Sequence, residues 1–139
     1  EVPPVPPVPD PVREILREAQ AAFNSGEDDA AHEAFQRILS ELDPTNGPAL
    51  YGMALIARRE GDPELAEDYL VRTTQSDTAE TAMIVWSHIF LGQLYDIGCE
   101  RESALEQYRL AIRIGDDSQD AQTAARAGRA APFGGGCGN

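Results

Sequence analysis

The segment 88–111 limits the fold more than any other part of the chain. Two helical patterns meet in it at Gly98–Cys99. In each helix, small residues share a face with large residues at spacings of three and four positions, which place side chains on one side of an α-helix. Small residues let two helix backbones approach closely and large ones fill the space beside them, so the segment predicts a helical hairpin. The two faces are Leu91, Gly92 and Tyr95, and Ala104, Tyr108 and Ala111.

Apolar stripes of helical period continue on both sides of this hairpin. They predict seven helices and no strand, in an all-α fold. Pro, Gly, Asn and Asp residues between the stripes are typical starts and ends of helices. The stripes define a helical domain over 12–131, with pairs of helices at about 12–45, 46–78 and 79–115 and a last helix within 118–131.

The charge of the chain makes several kinds of partner unfavourable. Its 139 residues suit one domain, and its formal charge is −13. Nucleic acids are bound through clustered Lys and Arg, so this charge argues against them and against anionic membrane surfaces. No apolar run approaches the roughly 20 residues of a membrane-spanning helix. We therefore expect no nucleic-acid partner and no membrane span.

Residues 1–11 form a proline-rich arm. Six of these eleven residues are Pro, which prevents helix and sheet hydrogen bonding and favours an extended polyproline II conformation. Val2, Val5 and Val8 recur at the three-residue period of that conformation and so form a row along one edge. Such a row suits docking in an apolar groove, and a disordered linker is the alternative. At the other end, residues 132–139 have the composition of a flexible Gly-rich tail.

The helical pairs align with a period of about 34 residues. Gly26 and Gly61 begin equivalent turns, and the third pair reads Leu-Gly-x-x-Tyr from residue 91 and Ala-x-x-x-Tyr-x-x-Ala from residue 104. In this period and in these motifs the chain resembles the tetratricopeptide repeat (TPR) family over residues 12–114. One departure is in the third turn, where the glycine, Gly98, comes one place early.

The resemblance implies an α-solenoid of three hairpins with a capping helix at its C-terminal end. Nothing comparable precedes residue 12, so we expect the outer face of the first hairpin to be uncapped or covered by another molecule. The closing part, 88–133, with its Ala- and Arg-rich segment 124–133, also looks like the TPR ends of secreted or envelope-associated bacterial proteins. It suggests a bacterial protein that is secreted, extracellular or periplasmic.

In the TPR family the first helix of each hairpin lines an inner groove. The register places a mixed set of apolar, amide and cationic residues on or near this groove, which suits an extended apolar segment. For Trp86, packing between hairpins is the alternative. The expected groove residues are Arg13, Leu16, Gln20, Tyr51, Leu55, Arg58, Trp86, Ile89 and Gln93.

No arrangement of residues indicates catalysis. His32 and His88 lie on different predicted hairpins, and neither is in a recognised arrangement with a Ser or Cys nucleophile. Two His and two scattered Cys give no metal-ligand pair at helical spacing. The glycine run 134–136 lacks the strand and helix context of a phosphate-binding loop. We therefore expect no enzyme activity, no metal and no cofactor.

The two cysteines, Cys99 and Cys137, are too few for a disulfide framework. They are either free thiols or one disulfide in an oxidising compartment, formed within a chain or between copies.

Two functions fit these features. The first is a structural protein that binds copies of itself head to tail, through the arm and the uncapped end, to form a filament or another homopolymer. The second is a monomeric TPR adaptor that binds an extended peptide of another protein in its groove. The row of Val side chains and the uncapped end favour the first.

Overall fold

The computed structural model describes residues 2–5, 10–135 and 137, so Val8 of the predicted row lies outside the described residues. Over the described residues the fold is all-α, with seven α-helices packed against each other. A π-helical turn, Ile38–Leu42, extends the second helix, and short 3₁₀ turns follow at Ser118–Asp120 and Phe133–Gly135. The helices are α1 (Pro11–Asn24), α2 (Asp28–Arg37), α3 (Gly47–Arg59), α4 (Pro63–Thr74), α5 (Thr81–Ile97), α6 (Arg101–Ile114) and α7 (Ala121–Ala130).

Three helices begin in the same way. An Asp or Asn side chain accepts a hydrogen bond from a backbone N–H of the first turn, and a proline occupies one of the first two helical positions. The cap supplies an acceptor to an N–H that has no partner in the helix, and the proline needs none. The caps of α1, α3 and α4 are Asp10, Asn46 and Asp62.

The turns inside the three helical pairs share one backbone conformation. Gly26, Gly61 and Cys99 are left-handed, with φ of 77°, 76° and 66°. In each turn the next residue's N–H donates to the carbonyl five positions earlier, which is the Schellman ending of a helix. In the third turn Cys99, and not Gly98, therefore holds the position of the glycines. A left-handed conformation costs a residue with a Cβ about 1 kcal/mol or more.

Each helix packs against the helices before and after it, and α1, α3, α5 and α7 also contact one another in sequence. Aromatic rings of the second helices pack on glycines. Phe35 of α2 lies on Gly52 of α3, and Tyr108 of α6 lies between Gly92 of α5 and Gly128 of α7. A Cβ at any of these glycines would overlap the ring, so the absence of a side chain is what lets the helices meet.

The outward side of the first helical pair is polar. The exposed residues of α1 and α2 are charged or polar apart from Pro11, Ala21 and Ala30. This end of the molecule can face water as it stands. The structure therefore removes the argument that a second molecule must cover the first hairpin.

We expect Gly52→Ala to lower the free energy of unfolding by about 1–3 kcal/mol, since overpacking a core costs about this much. In a Phe35→Leu background the same change should cost less, because the shorter side chain leaves room for the methyl group. Chemical denaturation of the four chains measures both costs. Equal costs in the two backgrounds would show that the Phe35 ring is not the reason for glycine at position 52.

Candidate functional site

The first candidate surface is a groove that we call the inner trough. It runs across α1, α3 and the start of α5, and it consists of two adjoining depressions that share Gln20 and Pro48. Phe23 and Met83 add apolar surface to it. Five of the residues expected from the sequence line the trough: Arg13, Leu16, Gln20, Tyr51 and Leu55.

Two of the expected groove residues have packing roles. Ile89 is fully buried in a cluster with Val85 and Ala121, because α7 packs over that face of α5, so its assignment to the groove was wrong. Trp86 is half-buried beside the same cluster, and its indole N–H donates to the carbonyl of Ser118 at 2.9 Å. The Trp86 side chain thus anchors the α6–α7 connection to α5.

The second candidate surface is a depression of about 220 Å³ that we call the C-terminal cleft. It lies between the α3–α4 turn, the last two turns of α5 and the 3₁₀ turn Phe133–Gly135. Two of its apolar side chains are open to solvent, Ile97 with 61 % and Phe133 with 41 % of its surface exposed. The apolar lining consists of Pro63, Phe90, Leu94, Ile97 and Phe133.

A cation stands at the rim of the C-terminal cleft. The guanidinium of Arg58 lies 4.2 Å from the centre of the Phe90 ring, and one of its nitrogens is 3.5 Å from Gln93 Oε1. No carboxylate of the described residues is within ion-pair distance of Arg58. The neighbouring Arg59, in contrast, lies over the Phe23 ring and pairs with Asp28. Arg58 and Gln93, which the sequence placed on the inner groove, thus line this cleft and not the inner trough.

The tail is fastened to the end of α5. Cys137 forms a disulfide with Cys99 of the same chain, and the backbone N–H of Phe133 donates to Asp96 Oδ2 at 2.9 Å. The described tail residues are therefore held in place, contrary to the expectation of a flexible tail. This attachment brings Phe133 to the cleft.

Asp96 joins the tail to two helices. Its side chain is fully buried and accepts hydrogen bonds from Arg101, at 3.0 Å to each oxygen, and from the Tyr108 hydroxyl at 2.8 Å. Arg101 also donates to the carbonyl of Arg129 at 3.0 Å. Burial and the hydrogen bond to Asp96 raise the pKa of Tyr108, so its phenol stays a donor to the carboxylate. We call this group of contacts, together with the disulfide, the C-terminal clasp.

Sequence reasoning missed the cleft for a physical reason. Leu94 and Ile97 lie on α5, which has apolar residues on more sides than one buried stripe requires. These additional apolar residues were the one indication in the sequence that α5 has an apolar surface outside the core. Phe133 reaches the site through the clasp, which a local pattern cannot show.

The described residues contain neither a cluster of metal ligands nor a membrane-spanning helix. They contain no group of three or more His, Cys, Asp and Glu side chains that could hold a metal ion. None of their helices combines the length and the apolar character needed to cross a membrane.

A scan against protein-family models finds no match, and a search of curated proteins finds no relative.

Replacing both cysteines should destabilise the chain, because the disulfide spans a sequence separation of 38 residues and a loop of that size contributes about 3–4 kcal/mol in the chain-entropy model. We expect Cys99→Gly/Cys137→Ser to be about 1 kcal/mol more stable than Cys99→Ala/Cys137→Ser, since glycine adopts the left-handed conformation without a Cβ penalty. Chemical denaturation measures the difference. Equal stabilities would mean that residue 99 leaves this conformation once the disulfide is absent.

Stability should fall as the pH rises from about 10 to about 12. Burial raises the pKa of Tyr51 to about 12, and burial with the hydrogen bond to Glu67 raises that of Tyr95 to about 12. These values lie above the unfolded value of about 10, so the contribution is complete below pH 10 and is lost as the folded phenols ionise. Denaturant unfolding at about pH 9 and pH 11 measures this loss. A Tyr51→Phe/Tyr95→Phe variant that loses as much stability as the parent chain would contradict the assignment.

Proposed function

We propose that this chain is a non-catalytic protein-interaction module of TPR type, a solenoid of three helical hairpins capped by α7. Three features support this proposal. The left-handed residues Gly26, Gly61 and Cys99 recur at equivalent turns, α1, α3, α5 and α7 contact one another in order, and rings pack on glycines at both ends of the stack. Stacked helical repeats bind other proteins through the extended surfaces that successive repeats form.

The ligand that we propose is an extended apolar segment, and the chain supplies one itself. Val2 and Val5 of the arm are 88 % and 82 % exposed. Burying a side chain of this kind contributes about 1.5–3 kcal/mol, which the isolated molecule forgoes. This exposure is the observation that carries the proposal. We infer that the arm of one copy binds the next copy, so that the chain assembles head to tail.

The polar outward face of α1 and α2 favours a connection through the arm over stacking of the ends. A head-to-tail contact that does not close into a ring continues as a filament or another open homopolymer. The disulfide between Cys99 and Cys137 suits an oxidising compartment, which supports a secreted, extracellular or periplasmic location. The bacterial source that we propose rests on the resemblance of the C-terminal segment alone.

A monomeric adaptor is the second candidate, and the inner trough favours it. Tyr51, Leu55 and Phe23 give the trough an apolar lining, and Arg13 and Gln20 offer hydrogen-bond donors along it. Such a surface suits an extended peptide of another protein.

Replacing the exposed Val side chains should prevent assembly. We expect the mass of the parent chain in light scattering to increase with concentration, and that of Val2→Asp/Val5→Asp to stay at 15.0 kDa, because aspartate cannot enter an apolar groove. Ala21→Asp/Ala30→Asp adds the same charge on the exposed side of α1 and α2 and should assemble like the parent chain. A parent chain that stays at 15.0 kDa over the whole concentration range would rule out self-assembly and leave the adaptor.

A further inference from the structure

We propose that the C-terminal cleft is the acceptor of the arm, with Val2 and Val5 of a second copy packed on Ile97 and Phe133. This inference rests on the proposed self-assembly and names its site. The arm leaves the molecule in front of α1, and the cleft lies at the end of α5 beside the tail. A contact between these two ends leaves one free arm and one free cleft on every growing assembly.

The residue types of the two surfaces suit each other. Extended proline-rich segments bind in grooves lined by aromatic side chains, where their preformed conformation lowers the entropic cost of binding. The cleft presents Phe90 and Phe133 with the exposed Ile97 beside them. Valines three residues apart in a polyproline II segment are about 9 Å apart along its axis, so both lie on the same edge. The edge that carries Val2 and Val5 is thus the one that we expect to contact an apolar cleft.

The charge distribution of the chain also favours the arm as the part of a second copy that binds the cleft. Two copies that each carry a charge of −13 repel each other over most of their surfaces. The sequence of the arm is uncharged from residue 2 to residue 9, so it is the part of a second copy that approaches with the least repulsion. At the cleft, Arg58 has no carboxylate partner among the described residues, whereas the carboxylate of Asp62 accepts from the N–H of Leu65 at the start of α4. The sequence places the carboxylate of Glu1 next to Val2, so Arg58 is the charge of the cleft that complements it.

The described part of the chain's own arm leaves the cleft open. Val2 and Val5 remain exposed, and so do Ile97 and Phe133. The inner trough is a less suitable acceptor, because its large apolar side chains, such as Phe23, Tyr51 and Leu55, are already partly buried. Ile97 and Phe133 of the cleft are open to solvent. A second copy therefore presents an exposed apolar surface beside Arg58, far along the chain from its own arm.

Two full-length variants with complementary defects test this assignment. Val2→Asp/Val5→Asp has a defective arm and an intact cleft, and Ile97→Glu has the reverse. Because Ile97 is 61 % exposed, its replacement should leave the fold intact, which thermal unfolding checks. Ile114→Glu is the matched control, since Ile114 is also exposed but does not line the cleft. Leu16→Glu tests the inner trough, and because Leu16 is partly buried against the core, thermal unfolding must show that this variant is folded before its assembly is compared.

Sedimentation of the oxidised proteins should give a series of masses for the parent chain, for Ile114→Glu and for Leu16→Glu. Each complementary variant alone should be monomeric. Their mixture should form one species of two chains and nothing longer, because only the intact arm of one and the intact cleft of the other can meet.

The assignment is overturned by a mixture that stays monomeric, by assembly of Ile97→Glu like that of the parent chain, or by loss of assembly in Leu16→Glu alone. In the last two cases the parent chain still assembles, so self-assembly stands and only the site is wrong. A monomeric parent chain overturns both.

Discussion

The buried carboxylate of Asp96 is the interaction on which the C-terminal half of the molecule depends. Placing a charge in a protein interior costs several kcal/mol unless other groups compensate it. Arg101, the Tyr108 hydroxyl and the Phe133 N–H provide this compensation from α6 and from the tail. None of the three is next to Asp96 in sequence, so the carboxylate is satisfied only when α5, α6 and the tail are all in place. The three groups thus tie α5, α6 and the tail together at one buried carboxylate.

The Tyr108 ring connects this polar group to the packing of the helices. Its hydroxyl binds Asp96, and its two faces lie on Gly92 and Gly128, so one side chain contacts α5, α6 and α7. The Phe35 ring packs on Gly52 in the same manner at the other end of the molecule, but without a polar partner. The shared device is a ring that fills the space left by a missing side chain. The C-terminal copy adds a hydrogen bond and so fixes the orientation of its ring.

Much of this architecture could be predicted from the sequence, because helical period and helix caps are local properties. α6 lies within the predicted third pair and α7 within 118–131, and the burial of Ala104, Tyr108 and Ala111 also agrees with the pattern. The cleft could not be predicted, because Phe133 arrives from a tail whose composition suggests no structure. Ile89 was misplaced since nothing in α5 itself shows that α7 covers that face. The pairing of Cys99 with Cys137 stayed open because sequence separation contains no distance.

The left-handed backbone at Cys99 has a consequence for how this chain can vary. A cysteine there without a partner combines an exposed thiol with an unfavourable backbone conformation, while glycine has neither fault. The two cysteines are therefore coupled in their effects on fitness. If Cys137 alone is lost, Cys99 is less favourable in its left-handed conformation than the glycines of the other two turns. A later substitution at position 99 should therefore favour glycine. Homologous chains should accordingly have either both cysteines or a glycine at this turn, and rarely one cysteine alone.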